Sequence, residues 1–273
     1  MTRCLEIIDV TKVYPLGNHN IPTLDRVSFH VHDREFFCVI GPSGCGKSTL
    51  LRMMAGLDAP TSGEIRLRGE RITHPHPKIS MVFQSFALFP WRNTLQNIEY
   101  GLEVRGVPKA ERRRIAEELI ELVGLKGYEY SYPKQLSGGM KQRVGLARAL
   151  AVDPEIVLMD EPFSALDEFT AQTLRSEVVE LWKSTGKVFI LVTHNLTEAV
   201  ELADRIVVLS ARPARVKNLI NVDLKRPRNR SNINFIRCQK NLFNLLREEL
   251  ENTIMRHRLR AIHEHHAIED IEE

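Results

Sequence analysis

FFCVIGPSGCGKST, residues 36–49, is an unbroken apolar run that ends in a glycine-rich turn. Leu50, Leu51, Met53 and Met54 follow at spacings that suit the apolar face of a helix. Strand, glycine-rich turn and helix is the setting in which G-x-x-x-x-G-K-[ST] becomes a phosphate site, and Gly41, Gly46, Lys47 and Ser48 occupy its fixed positions. Glycines let backbone N–H groups close around phosphate oxygens at a helix N-terminus, where the dipole favours an anion. The nucleotide loop is therefore expected to comprise Gly41, Pro42, Ser43, Gly44, Cys45, Gly46, Lys47, Ser48 and Thr49. Lys47 adds a point charge for the terminal phosphates, and the Ser48 hydroxyl is a ligand for Mg²⁺. A tight turn without a ligand is the plainer alternative, and the flanking strand and helix argue against it. Cys45 reads as a tolerated small residue; its place in the loop also exposes the site to block by oxidation.

Outward from this core, Ile156 to Met159, Val188 to Val192 and Ile206 to Leu209 are further unbroken apolar runs. Such runs suit strands buried on both faces, as in a parallel sheet covered by helices. The run at Ile156 delivers Asp160 and Glu161 at its C-terminal end, the edge at which open α/β sheets hold ligands. Asp160 is expected to hold Mg²⁺, and Glu161 to orient or deprotonate the attacking water. An acidic pair alone is a common strand end; beside a phosphate loop it reads as chemistry. His194 ends the run at Val188 on the same edge, within reach of a γ-phosphate. Gln84 follows Met81, Val82 and Phe83 and is a candidate to touch both Mg²⁺ water and a moving neighbour.

A second anion site is written into Leu136-Ser137-Gly138-Gly139-Met140-Lys141-Gln142, with Ser137 as N-cap of a helix that begins near Met140. Hydroxyl, bare backbone N–H groups and helix N-terminus repeat the logic of the first loop. Capping serines followed by glycines are also common without function.

At 273 residues, 43% hydrophobic and a net charge of +3, the chain suits one large domain or two small ones and asks for no nucleic-acid partner. Arg3, Glu6 and Asp9 interrupt the start, so no signal peptide is expected there, and no apolar run reaches the ~18 residues of a membrane span. Cys4, Cys38, Cys45 and Cys238 lack metal-ligand spacing and suit a reducing compartment. Leu5 to Val10, Val27 to Val31 and Glu64 to Leu67 alternate like short antiparallel strands. Residues 92–152 turn helical: Ile115, Leu119, Ile120 and Val123 share a face before Gly124, and the Met140 helix stops at Asp153-Pro154. Leu174, Val178, Leu181 and Trp182 form a stripe before Gly186, which places Trp182 in the core. The expected architecture is an α/β P-loop NTPase core, mostly parallel sheet with helices on both faces, plus a small antiparallel β subdomain. An inserted α-helical subdomain occupies about residues 85–152. Residues 1–230 form the nucleotide-binding domain and 231–273 a C-terminal helical extension and polar tail.

Ala211 to Arg230 holds seven Lys or Arg residues against Asp223, the pattern of a solvated basic surface. Phe235 to Arg258 reads as a helix with Leu242, Leu245, Leu246 and Leu250 in register, and His257, His263, His265 and His266 as a mobile polar tail.

Taken together, GPSGCGKST, Gln84, LSGGMKQR, VLMDEP, Ser164-Ala165-Leu166-Asp167 and His194 stand in an order that resembles the ATP-binding cassette ATPases of membrane transporters, over roughly residues 1–215. The resemblance implies ATP and Mg²⁺ as cofactors, with Ser48, Gln84 and Asp160 at the metal and Glu161, His194 and Gln84 in catalysis. It implies a head-to-tail dimer with a second copy, sandwiching two ATP molecules, in which Ser137, Gly138, Gly139 and Gln142 complete the partner's site. Tyr14 matches the aromatic that stacks on adenine, and Asp167 the acid of the loop that crosses the interface. Arg34 departs from the family's usual glycine, which alters a turn away from the chemistry.

Phe86 to Trp91, Phe163 to Thr170 and Ala211-Arg212-Pro213 look most like the nitrate, sulfonate and taurine importers. The implied role is an ATPase subunit on the inner face of the cell membrane, cytoplasmic, bound to integral-membrane permease subunits and served indirectly by a solute-binding protein. Export of a lipid or metabolite, and a soluble mechanochemical cassette, are the rival readings. The latter usually shows two cassettes or a long coiled-coil insert. A catalytically dead subunit is disfavoured by intact Lys47, Asp160, Glu161 and His194. Permease docking calls for exposed apolar anchors next to Gln84, so at least one of Phe86, Phe89 and Trp91 is expected at the surface.

Overall fold

The computed structural model describes residues 2–17, 19–247 and 249. Along the chain run β1 (Arg3–Leu16), β2 (His19–His32), β3 (Phe36–Ile40), α1 (Lys47–Met54), β4 (Ser62–Leu67), β5 (Glu70–Arg71) and β6 (Ile79–Val82). Then follow α2 (Thr94–Val104), α3 (Lys109–Leu122), α4 (Gly138–Ala151), β7 (Ile156–Asp160), α5 (Glu168–Thr185), β8 (Val188–Thr193), α6 (Leu196–Leu202), β9 (Arg205–Leu209) and β10 (Val216–Asn221). A last helix, α7, covers residues 233–247.

The apolar runs assemble as expected. One sheet has the order β10-β9-β3-β8-β7-β6, with every neighbour from β9 to β6 parallel and only the β10 edge antiparallel. Because successive side chains of a strand point to opposite faces, each buried run feeds two cores. Phe36, Cys38 and Ile40 face the core shared with α2 to α6, while Phe37 and Val39 face the core shared with α1 and the β1–β2 hairpin. That second layer is an antiparallel sheet of order β2-β1-β4-β5. The parallel strands therefore end, C-terminally, at one edge, where β3 gives way to the loop before α1 and β7 gives way to Glu161.

Several details differ from the sequence reading. The hairpin is far longer than Leu5–Val10 and Val27–Val31, since each strand runs 14 residues. Its outer part carries Lys12, Tyr14, Pro15 and Pro22, which break the apolar alternation, yet Tyr14 still pairs with Ile21. The basic stretch 211–230 is a solvated surface only in part: Arg212, Arg215 and Lys225 are exposed, whereas Lys217, Arg226, Arg228 and Arg230 are half-buried. It contains β10, and Arg228 turns inward, donating to the carbonyls of Val200 (2.8 Å) and Ala203 (2.6 Å) at the end of α6. Burial pushes the Arg228 guanidinium down to about 10. Trp182 is half-buried: its ring meets Phe36 edge-on, Arg226 stacks over it, and its indole N–H donates to the Arg34 carbonyl. Arg34 takes φ 58°, the left-handed turn where a glycine sits without strain. In α7, Phe235 and Leu242 enter the same core as α5 and α6. Leu250 and the four tail histidines lie outside the described residues.

Candidate active site

The loop from Gly41 to Ser48 wraps the N-terminus of α1. Gly46 caps that helix at φ 117°, and a Cβ there would lie 2.9 Å from both Thr23 Cγ2 and Leu24 Cδ2, so only glycine fits. Lys47 is only 6% exposed. Its Nζ donates to the carbonyls of Gly41 (2.9 Å) and Pro42 (3.1 Å), folding the charge back over the loop that carries it. These acceptors are neutral, so the positive charge stays available to an anion in the loop. Ser48 Oγ donates to Asp160 Oδ1 at 3.0 Å, joining the first turn of α1 to the end of β7. Burial, and after it the charge of Glu161, holds the Asp160 carboxyl above the ordinary range against the pull of Ser48 and Lys47. A second cation beside this hydroxyl and carboxylate would relieve that cost.

Tyr14, Ser43, Gly44, Gly46, Lys47, Ser48, Thr49 and Glu161 line one cavity of about 270 Å³. Thr23, which no motif singled out, and Arg212, quoted only as part of Ala211-Arg212-Pro213, complete its wall. Tyr14 Oη donates to Asp58 Oδ2 at 2.7 Å, and Lys12 Nζ sits 4.8 Å above its ring. Burial and the Asp58 carboxylate raise the phenol's pKa. Cys45 is buried beneath the loop rather than lining the cavity, and burial raises its thiol pKa. A protonated, covered thiol is a poor nucleophile, which removes the oxidation reading and leaves the packing one.

At the sheet edge, Glu161 has φ 44°, a left-handed conformation that costs a non-glycine residue roughly 1–3 kcal/mol and clusters at functional sites. Two tethers hold it there. Its N–H donates to the Val192 carbonyl (2.9 Å), and its own carbonyl accepts Ser164 Oγ (2.8 Å). The carboxylate oxygen Oε1 then lies 3.1 Å from His194 Nδ1. Gln84 Nε2 donates to Ser164 Oγ at 3.2 Å, so one hydroxyl links Gln84 to the backbone of Glu161. Sequence reasoning named both ends of this relay and quoted Ser164 in a motif, but gave that serine no role between them.

The second anion-type helix start is also present. Ser137 caps α4 by accepting the Met140 N–H at 3.3 Å. At Gly139 an added Cβ would meet Thr170 Cγ2 at 2.6 Å. Ser137 and Gly139 line a separate cavity of about 230 Å³ with Phe169 and Thr170; the chain does not bring them to Lys47. Gly138 opens the same helix, and Gln142 is buried one turn further in, its Oε1 without a hydrogen-bond partner. Asp167 caps α5, accepting the Thr170 N–H at 2.9 Å. Of the apolar residues after Gln84, Trp91 is 70% exposed, while Phe86 and Phe89 are half-buried, Phe89 packing on Tyr100 and Trp91.

The residues present fit a nucleoside triphosphate and a divalent cation. They offer a helix N-terminus, a lysine with neutral acceptors only, a hydroxyl–carboxylate pair, and a second carboxylate beside an imidazole. The family model described as ABC transporter matches residues 24–164, a span that begins on β2 and ends at Ser164. The chain belongs to the ABC transporter family. It is an ATP-hydrolysing cassette of that family. An uncharacterised ABC transporter ATP-binding protein of Methanocaldococcus jannaschii, MJ0412, is 48% identical over 246 residues, covering 90% of this chain and 92% of the relative. The nitrate import ATP-binding protein NrtD of Synechocystis sp. is 42% identical over 231 residues, 83% of this chain and 87% of that one. Among solved structures, the dimeric ATP-binding cassette MJ0796, bound to ADP and Pi, superposes with a TM-score of 0.72 at 32% identity, covering 81% of this chain and all of that one.

Proposed function

We propose that this cassette powers import of a small solute, an oxyanion such as nitrate, a sulfonate or taurine, by hydrolysing ATP in a site completed by a second copy of itself. The observation that carries the reading is that Glu161, the centre of the relay Gln84–Ser164–Glu161–His194, lines one cavity with Lys47 and with Ser48, which is bonded to Asp160. In this reading the adenine lies on Tyr14 and the triphosphate in the loop Gly41 to Thr49. Glu161 takes the proton of the attacking water, and His194 holds the γ-phosphate side. Ser48, Asp160 and Gln84 would hold Mg²⁺, which when bound offsets charge on the β- and γ-phosphates. Ser137, Gly138, Gly139 and Gln142 serve the partner copy's nucleotide, and Asp167 lies at the crossing between copies. Residues 1–230 act as the cassette, with 231–273 as an extension.

Two strands of support favour import of an oxyanion. The nitrate import protein of Synechocystis aligns over most of the chain, and the stretches at Phe86 to Trp91, Phe163 to Thr170 and Ala211 to Pro213 resemble that subgroup. A permease at the inner face of the cell membrane, fed by a solute-binding protein, is the expected setting. The test is ATP affinity and turnover of Lys47→Ala beside wild type, then uptake of labelled oxyanions into vesicles with the cognate permease. Removal of the buried ammonium should weaken ATP binding at least tenfold, because a charge-assisted phosphate contact is lost. Equal affinity in calorimetry would refute the placement of the triphosphate.

A further inference from the structure

Arg212 lies on the wall of the nucleotide cavity with Thr23, and the one acid that shares the lining, Glu161, is paired with His194. Its Nε donates to the Pro22 carbonyl at 3.2 Å, and its Nη2 donates to Thr23 Oγ1. Both acceptors are neutral. Among the described residues Arg212 makes no ion pair, whereas its neighbour Arg215 is matched by Asp25. The cavity thus holds a guanidinium that no carboxylate pairs with among the described residues, and whose Nη1 is used by neither of these bonds.

The loop that carries it is firmly built. Ser210 N–H donates to the Arg215 carbonyl, and Arg215 N–H donates to Ser210 Oγ (3.0 Å). Ala214 N–H donates to the Thr23 carbonyl and Asp25 N–H to the Ala214 carbonyl, both at 2.9 Å, so the loop is stitched to β2 like an added strand. Ala211 N–H donates to Glu249 Oε2, adding a tether to the C-terminal segment. An arginine is thereby held in place across 190 residues of chain. The position along the cavity follows from Thr23. A Cβ added at Gly46, the N-cap of α1, would meet Thr23 Cγ2 at 2.9 Å, so the guanidinium bonded to Thr23 sits beside the phosphate loop.

We propose that Arg212 is a nucleotide-binding residue that contacts the polyphosphate, the second cation of the pocket after Lys47. The proposal rests on the reading that this cavity holds ATP. A guanidinium with free donors suits phosphate oxygens, which accept in the planar fork geometry that arginine offers.

The experiment measures dissociation constants for Mg²⁺–ATP and for inorganic tripolyphosphate by calorimetry, on wild type, Arg212→Ala, Arg212→Gln and Arg212→Lys. Glutamine keeps N–H donors for Pro22 and Thr23 while removing the charge, so it guards against loss of folding, and nucleotide-free melting is followed alongside. The alanine and glutamine variants are expected to bind both ligands about tenfold more weakly, and lysine to stay within about threefold of wild type. Wild-type affinity in both neutral variants would overturn the assignment. A loss for ATP with none for tripolyphosphate would move the contact to the nucleoside and overturn the phosphate role. Equal loss in the lysine variant would mean that Arg212 only props β2. Wild type that binds neither ligand would remove the ATP reading of the cavity and this inference with it.

Discussion

Glu161 joins two structural demands in one residue. Its backbone is left-handed, and its side chain reaches His194 from the end of a strand whose preceding residue, Asp160, is tied to Ser48. The strain is local and the tethers, Val192 carbonyl and Ser164 hydroxyl, are what keep it. Glu161→Gln preserves the shape and cannot take a proton. Its turnover is expected to fall about 10²–10⁴-fold with ATP affinity retained, in parallel assays of phosphate release and nucleotide binding. Unchanged turnover would take Glu161 out of the chemistry. At this scale the sequence was unusually readable: each phosphate-loop residue, Asp160, Glu161 and His194 sits at the one sheet edge to which its motif assigned it. Ser164 and Arg212 stand in motifs that the sequence displays, but their roles were not legible, because these lie in contacts made 80 residues away with Gln84 and 190 away with Pro22.

At the scale of elements, a buried charge cluster fixes α5, α6 and the end of β8 against one another. Arg175 on α5 is 1% exposed and meets Glu168 (2.7 Å), Glu198 (3.5 Å) and Glu201 (3.1 Å). Arg230 bridges Glu168 and Glu201 from the C-terminal side, and Thr193 Oγ1 donates to Glu198 Oε2 at 2.6 Å, one residue before His194. Arg175→Ala leaves the buried Glu198 without its guanidinium, while Arg230 still pairs with Glu168 and Glu201, and breaking a buried pair from one side costs about 3–5 kcal/mol. Urea unfolding checks this, and a loss under about 1 kcal/mol would show the cluster to be dispensable. The pH dependence has a definite sign. Burial already raises Glu198 above the usual carboxylate range, and Arg175 is among the groups that hold it down. Without Arg175 the folded-state value rises further, so protonation favours the folded variant. Its deficit against wild type should shrink as pH falls through that raised value, and grow on the alkaline side. Element boundaries were legible where apolar runs are unbroken, as in β3, β7, β8 and β9. They failed in the β1–β2 hairpin, whose outer half is polar and proline-bearing. They failed again in β10 and Arg228, where a basic composition suggested solvent while the guanidinium in fact caps α6.

Over the whole molecule, two features point outward. Trp91, 70% exposed, projects from the start of the helical region that follows Gln84, and it packs on Phe89. Trp91→Glu should leave soluble ATPase activity and melting temperature close to wild type while uncoupling hydrolysis from a reconstituted permease. Retained coupling would place the docking surface elsewhere. The other outward feature is the cavity at Ser137 and Gly139, with Phe169 82% exposed beside it. A phosphate-type helix start that never meets the chain's own Lys47 is explained if it serves a second copy. The most direct measurement is sedimentation of Glu161→Gln with and without Mg²⁺–ATP, with Ser137→Arg in the same background as control. The account predicts a species of twice the monomer mass that forms only with ATP and is lost when Ser137 is replaced. A variant that saturates with ATP and remains monomeric would contradict the composite site.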